Sequence, residues 1–176
     1  MKDAKTKRIA LLGMFCALSV AISYIETLIP PIVPVPGVKP GFSNIVTMFA
    51  TVSLGLPYGL AVTMFKAVFA LITRGVTAFM MSFCGGLLSL AVMWILFRFT
   101  KKSIGYIGIG VLSAVSHNMG QLAVAVVILG KAILYIAPVL MLSGIVCGAL
   151  TGTIFRYTYP LLHRHTKELS NHLKND

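Results

Sequence analysis

A few ionisable and amide side chains interrupt the long apolar segments of this sequence, and these residues are the candidates for chemistry. Lys66 lies near the middle of one apolar segment, and Glu26 lies near the end of another. Arg74 follows Lys66 by about two helical turns, whereas His117 and Gln121 are four positions apart and would share a helix face. Because an ionised group at membrane depth is costly unless it is paired or lines a wet cavity, these residues predict a polar pocket.

We predict that the pocket binds a small molecule and lies near the outer surface of a membrane. Its positive charges exceed its negative ones, which favours a ligand of anionic character. The alternative is that Glu26 pairs with Lys66 or Arg74 and that the amides only tie helices together. The predicted substrate-binding residues are Glu26, Lys39, Asn44, Lys66, Arg74, His117, Asn118 and Gln121.

The acidic residues that an enzyme would need are scarce. The sequence has four of them; Glu26 lies in the apolar body, and the other three lie in the head or tail, namely Asp3, Glu168 and Asp176. They offer no carboxylate pair for magnesium binding or acid–base chemistry, and the sequence has no P-loop for ATP. Three tail histidines stand in a polar segment without groups that would orient them around a metal: His163, His165 and His172. We therefore predict a chain that is not an enzyme and has neither a cofactor nor a metal site.

Length and composition predict the elements that position these residues. The hydrophobic fraction is 57% and the charged fraction 11%, against roughly 25% charged residues in soluble domains. A membrane-spanning helix needs about 20 apolar residues, so the chain has room for about six. We predict an all-α polytopic membrane protein with a single six-helix domain over residues 1–160, a basic head over residues 1–8 and a polar tail over residues 161–176.

Prolines and glycines mark the boundaries between the predicted helices. Five prolines in residues 30–41 exclude a regular helix there and predict a proline-rich loop. Pro57 and Gly59 predict a tight turn before the third helix, and Gly75 and Gly130 predict turns before the fourth and sixth. The first two helices are expected over residues 9–28 and 42–56. The third follows the turn at Pro57 and Gly59 and ends at residue 73, and the last three are expected over residues 77–99, 104–129 and 132–159.

The distribution of lysine and arginine predicts the orientation in the membrane. A net charge of +11 could indicate a nucleic-acid partner, but the basic residues lie in short clusters between apolar segments, so we predict none. Such clusters are typical of cytoplasmic loops, which indicates a bacterial plasma-membrane protein with both termini cytoplasmic and residues 30–41 outside. The basic residues that would not be cytoplasmic are Lys39, Lys66, Arg74 and Lys131.

Small residues repeat every four positions on the first and sixth predicted helices. The first repeat is Gly13, Ala17 and Ala21, and the second is Gly144, Gly148 and Gly152. Such stripes let helix backbones approach closely in lipid. Both could pack within this chain, or the stripe on the first helix could dock another membrane subunit, and we predict docking for Gly13, Ala17 and Ala21.

The size, the six helices, the proline-rich loop and the Ala17–Ala21 pair resemble the substrate-binding S components of energy-coupling-factor (ECF) vitamin transporters. In that family an Ala-x-x-x-Ala stripe on the first helix contacts a membrane coupling subunit, and the loop after that helix gates the ligand site. The resemblance implies an S-component-like bundle that captures a small molecule, with ATP hydrolysis in separate soluble subunits.

A closer resemblance covers nearly the whole chain. Residues 26–46, residues 84–89 and the run His117-Asn118-Met119-Gly120-Gln121 are similar to the family called Gx transporter or "heptaprenyl diphosphate synthase component I". Residues 40–44 depart from that family's Leu-Gly-Leu-Ala-Asn-like run but keep Gly41 and Asn44.

The two family names imply different functions. Prenyl-chain synthesis needs aspartate-rich motifs, which this sequence lacks, so the second name implies a non-catalytic partner. Our leading hypothesis is a capture subunit of an ECF-type importer for a vitamin-like or cofactor-precursor-like molecule. The alternatives are a non-catalytic membrane subunit associated with heptaprenyl diphosphate or quinone synthesis, and a structural partner of a membrane electron-transfer assembly.

Overall fold

The fold is known from a computed structural model that describes the backbone of residues 2–28 and 41–175 and the side chains of residues 6–28, 41–100 and 103–160. In these ranges every regular element is helical, which confirms the predicted all-α class. The α-helices are α1 (Lys2–Leu28), α2 (Asn44–Leu54), α3 (Leu56–Arg74), α4 (Val76–Phe99), α5 (Lys101–Leu129) and α6 (Ala137–Asn175). The predicted proline-rich loop, apart from Gly41, lies outside the described residues.

Single glycines connect α2 to α3 and α3 to α4. Gly55 and Gly75 have φ angles of 108° and 87°, a region that favours glycine because it has no Cβ. Each also donates its backbone N–H to the preceding helix, Gly55 to the Thr51 carbonyl and Gly75 to the Leu71 carbonyl. These one-residue connections make the helices neighbours and hold the end of one close to the start of the next.

Several helix boundaries differ from the sequence prediction. The helix α1 begins at Lys2, inside the predicted basic head, and Pro57 and Gly59, predicted to form a turn before the third helix, lie in the first turn of α3. Gly105, with a φ of 69°, interrupts the first turns of α5. A 3-10 helix, Lys131–Ile136, precedes α6, so the α-helix starts five residues later than predicted, with Pro138 in its first turn, where a missing N–H costs little. The helix α6 continues past Pro160 to Asn175, into the predicted tail, since Pro160 removes one donor and no further proline or glycine follows.

Five helical segments are long and apolar enough to cross a membrane. They are residues 6–28, 56–74, 76–99, 103–129 and 131–160. The sixth apolar helix, α2, has 11 residues and is about 16 Å long, roughly half the thickness of the hydrocarbon core. The chain is thus a polytopic membrane protein with six apolar helices, of which α2 is shorter than a full span.

Aromatic side chains fill one end of the bundle. Phe155 of α6 is fully buried, and its ring centroid lies 4.6 Å from that of Phe49 and 5.3 Å from that of Tyr106. Phe97 and Tyr159 pack against the same group. Because these residues come from the end of α4, the start of α5 and the middle of α6, they close the end of the bundle at which α4 ends.

The small-residue stripe of α6 packs within the chain. A Cβ added to Gly148 would lie 2.5 Å from the Cα of Val111 and 2.7 Å from the carbonyl oxygen of Gly110, both on α5. A Cβ added to Gly152 would lie 2.7 Å from the Cα of Ile107. These distances are far below van der Waals contact, so the glycines allow α5 and α6 to pack backbone against backbone.

We expect Gly148→Ala to lower the stability of the purified protein by about 1–3 kcal/mol, because the added methyl group overpacks this contact. Thermal unfolding in detergent would measure the loss as a reduced Tm. Gly13→Ala is the matched control, since a Cβ at Gly13 meets no atom within 4 Å. Equal melting temperatures for the two variants would contradict the close packing of α5 on α6.

Candidate functional site

The antiparallel course of the first four helices collects polar residues at one end of the bundle. Glu26 lies two residues before the end of α1, and Ser43 directly precedes α2. Arg74 ends α3, and Ser82 follows in the second turn of α4. The ends of α1 and α3 and the starts of α2 and α4 therefore lie at the same end of the bundle, opposite the aromatic end.

These residues surround a small cavity, to which α5 contributes two more side chains. The described lining residues are Ser23, Glu26, Gly41, Ser43, Lys66, Arg74, Ser82, His117 and Gln121. The cavity has room for about one water molecule, so any larger molecule requires the surrounding segments to move. None of the described lining residues comes from α6.

Glu26 connects α1 to the start of α2. Its Oε1 accepts a hydrogen bond from the backbone N–H of Ser43 at 3.1 Å, and its Oε2 accepts one from Ser43 Oγ at 3.3 Å. A carboxylate is favourable here because the N-terminus of a helix carries a partial positive charge. The carboxylate, 3% exposed, also attracts Lys66 and Arg74 electrostatically but forms no direct ion pair with a described residue.

Lys66 brings a cation into the interior of the bundle. It is 2% exposed, and its Nζ donates a hydrogen bond to Asn44 Oδ1 at 2.8 Å. The remaining N–H groups of the ammonium are directed elsewhere, and Lys66 lines the cavity. Arg74, half-buried, adds a second cation, and its Nε has no hydrogen-bond partner among the described residues.

His117 and Gln121 form the α5 side of the site. Gln121 Nε2 lies 2.8 Å from His117 Nε2, as their spacing of one helical turn predicts. Glycines allow α4 to approach them, since a Cβ on Gly85 would lie 2.8 Å from the His117 carbonyl oxygen and one on Gly120 would lie 2.7 Å from the Cα of Gly85. The close contact of α4 with α5 thus fixes the two polar side chains against the cavity.

Gly41 brings the residue before α2 to the same place. Its φ of 90° suits glycine, and a Cβ there would lie 3.1 Å from Asn44 Nδ2 and 3.3 Å from His117 Cδ2. The final residue of the predicted proline-rich loop therefore contacts the site from α2's side. This position was not among the predicted binding residues.

The structure brings together most of the residues that the sequence predicted for the pocket. Five of them line the cavity: Glu26, Lys66, Arg74, His117 and Gln121. Asn44 does not line the cavity, but its side-chain oxygen accepts a hydrogen bond from the ammonium of Lys66, which does. Lys39 lies outside the described residues.

Asn118 lies elsewhere and ties α5 to α6. Its Nδ2 donates a hydrogen bond of 2.6 Å to the Leu140 carbonyl, and a Cβ on Gly144 would lie 2.7 Å from the same nitrogen. Asn118 thus ties two helices together, which is the role that the alternative interpretation of the sequence gave to the amides.

The sequence prediction missed three serines and one glycine that line the cavity: Ser23, Gly41, Ser43 and Ser82. Serine is common in apolar helices and carries little signal by itself. The best available signal was spacing, since Ser23 stands three residues before Glu26 and hence on the same face of α1.

The site suits recognition by hydrogen bonds and charge. The described residues bring together no group of three or more His, Cys, Asp and Glu side chains that could hold a metal ion. The cavity instead presents an ammonium, a guanidinium, a carboxylate, hydroxyls and an imidazole–amide pair.

Comparison with known proteins gives the family. Residues 15–158 match the family described as heptaprenyl diphosphate synthase component I. The chain belongs to this family. No curated protein matches it. The match covers every described cavity-lining residue.

This member of the heptaprenyl diphosphate synthase component I family has the fold of a transporter subunit. A solved structure described as the S component of a bacterial ECF transporter has a TM-score of 0.63 and 19% sequence identity, over 97% of this chain and 99% of that one. The predicted S-component-like bundle is thereby confirmed.

Proposed function

We propose that the chain is the substrate-capture subunit of an ECF-type importer and binds a small molecule with anionic character. The observation that carries this proposal is the buried cavity with two cations, one carboxylate and a set of neutral polar groups, in a bundle with an S-component fold. Burying so many polar groups is costly in a membrane protein, and such groups usually mark a pathway or a binding site.

The surface of α1 supports a role for a second membrane subunit. Gly13, Ala17 and Ala21 are all exposed, whereas the glycine stripe of α6 is buried against α5. An exposed small-residue stripe lets a second helix approach closely. In this proposal it contacts a membrane coupling subunit, and separate soluble subunits hydrolyse ATP.

The charge distribution supports an orientation with both termini cytoplasmic. In this orientation the end of α1 and the start of α2 face outwards, and so does the cavity between them. The ligand would then be captured from outside the cell, and the aromatic end of the bundle would face the cytoplasm.

A second function is favoured by the family's description, which names a component of a prenyl diphosphate synthase. In that role the chain would be a non-catalytic membrane subunit that holds a soluble synthase, or its isoprenoid substrate, at the membrane. The described cavity lacks the paired carboxylates that hold a diphosphate through magnesium, so the catalytic residues would belong to the partner.

The two functions predict different partners. We expect the tagged chain, purified from its own membranes in mild detergent, to carry with it two ATPase subunits and a membrane coupling subunit, identified by mass spectrometry. Native mass spectrometry of the chain alone should show a retained small molecule. Recovery of an aspartate-rich prenyltransferase in place of the ATPases would contradict the importer and support the accessory role.

A further inference from the structure

The charges around the cavity do not balance. Lys66 and Arg74 provide two positive charges, and Glu26 provides one negative charge. The other described lining residues are hydroxyls, a glycine, an amide and a histidine, which carry no fixed charge. Lys66 and Glu26, both almost fully buried, offset each other, and the excess positive charge lies on Arg74, which is half-buried. One further negative charge at the cavity would therefore be stabilised by the described residues.

Two of the polar atoms near this site without a partner among the described residues are donors, and a third, His117 Nδ1, donates or accepts according to its tautomer. The Lys66 ammonium has three N–H groups and gives one to Asn44 Oδ1. Asn44 is 7% exposed, and its buried Nδ2 has no partner among the described residues; the same holds for Arg74 Nε. Asn44 does not itself line the cavity, but a Cβ on Gly41, which does, would lie 3.1 Å from Asn44 Nδ2.

The carboxylate of Glu26 is already occupied. Both of its oxygens accept hydrogen bonds from Ser43, which keeps Glu26 at the start of α2 while its charge acts on the two cations. Glu26 therefore reduces the positive charge of the cavity without using the donors of Lys66, Arg74 or Asn44.

From these observations we infer that the site recognises a ligand through one singly charged anionic group of the carboxylate class, and that Glu26 limits this charge to one. The inference rests on the proposed capture function and specifies its ligand. A carboxylate accepts several hydrogen bonds and forms strong charge-assisted ones with arginine and lysine. A doubly charged group would leave a net negative charge buried beside Glu26.

Three small probes of similar size test this inference on the detergent-purified full chain. They are propionate with one negative charge, propionamide with none, and malonate with two at about pH 7.5. At about ten times its Kd, propionate should raise the Tm of the wild-type protein by about 3 °C at matched ionic strength. Propionamide and malonate should shift it by less than half as much.

Two variants test the roles of the charges. Glu26→Gln keeps an acceptor for Ser43 but removes the negative charge, so malonate should become at least as stabilising as propionate. Lys66→Met removes one cation, and the propionate shift should disappear. The wild-type comparison stands by itself if either variant fails to fold.

Several outcomes would overturn the inference. An equal shift with propionamide, a larger wild-type shift with malonate, or no shift with propionate would each contradict it. Co-purification with the ATPase module together with preference for the neutral probe would leave the importer intact and exclude the charge assignment. Preference for propionate without an ATPase module would support the site and exclude the importer.

Discussion

Replacing Lys66 with methionine should lower the affinity for the natural ligand by about 100-fold, which corresponds to about 2.7 kcal/mol. Methionine has a similar length and no charge, so the bundle can remain packed while the cation is lost. Losing one partner of a desolvated, hydrogen-bonded charge pair typically costs about 2–5 kcal/mol. Lys66 is buried and lines the cavity, and its ammonium has N–H groups beyond the one given to Asn44.

The measurement is retention of the small molecule in native mass spectrometry, followed by titration once the molecule has been identified. Lys131→Met is the matched control, because Lys131 is exposed and lies outside the cavity. Its ligand retention should equal that of the wild-type protein. Unchanged affinity in a folded Lys66→Met protein would exclude Lys66 from the binding site.

A second variant separates the charge from the hydrogen bond that holds it. Asn44→Leu removes the acceptor of Lys66 Nζ but keeps the cation, so it should weaken binding less, by about tenfold. If Asn44→Leu caused the same loss as Lys66→Met, the effect would come from the position of the side chain and not from its charge.

Most of the fold was predictable because its determinants are local. Apolar segments of membrane-spanning length and the positive-φ glycines, Gly75 and Gly130, gave most helix boundaries within a few residues. The start of α1 at Lys2 was not predicted, because the basic residues before the apolar segment continue the same helix. The start and end of α6 were not predictable in the same way. The 3-10 helix before it and its continuation past Pro160 depend on backbone hydrogen bonding that residue types alone do not determine.

The site was partly predictable because charged residues are conspicuous in apolar helices. Glu26, Lys66 and Arg74 were found for that reason, and all three line one cavity. The sequence could not show which of these side chains contact each other. Pairing of Glu26 with Lys66 or Arg74 was the predicted alternative, yet its two carboxylate oxygens accept hydrogen bonds from Ser43, seventeen residues further along the chain.

Asn118 is a second residue whose contacts the sequence alone did not determine. It neighbours His117 in sequence and was also predicted to bind the ligand, but the side chains of consecutive residues in a helix point about 100° apart. Its amide therefore reaches Leu140 on α6 while His117 faces the cavity. Which of two adjacent polar residues faces the site depends on helix rotation, and neighbouring helices determine that rotation.

The second large effect concerns assembly. We expect Ala17→Trp to reduce recovery of the coupling subunit with the tagged chain by at least about tenfold, equivalent to about 1.4 kcal/mol of binding free energy. The opposite face of α1 packs inside the bundle through Phe15, Ser19 and Ser23, so a large side chain at position 17 points away from the fold. It would instead prevent a second helix from approaching the exposed small-residue stripe.

Ala123→Trp provides the matched control, because Ala123 is an exposed alanine on α5, away from that stripe. Both variants should keep the wild-type Tm and the retained ligand, since neither residue lines the cavity. Equal recovery of the coupling subunit with the two variants would exclude the α1 stripe as the docking surface. Loss of that subunit with Ala17→Trp alone, while ligand retention persists, would show that capture and coupling use separate faces of the same helix bundle: the cavity inside and the exposed face of α1 outside.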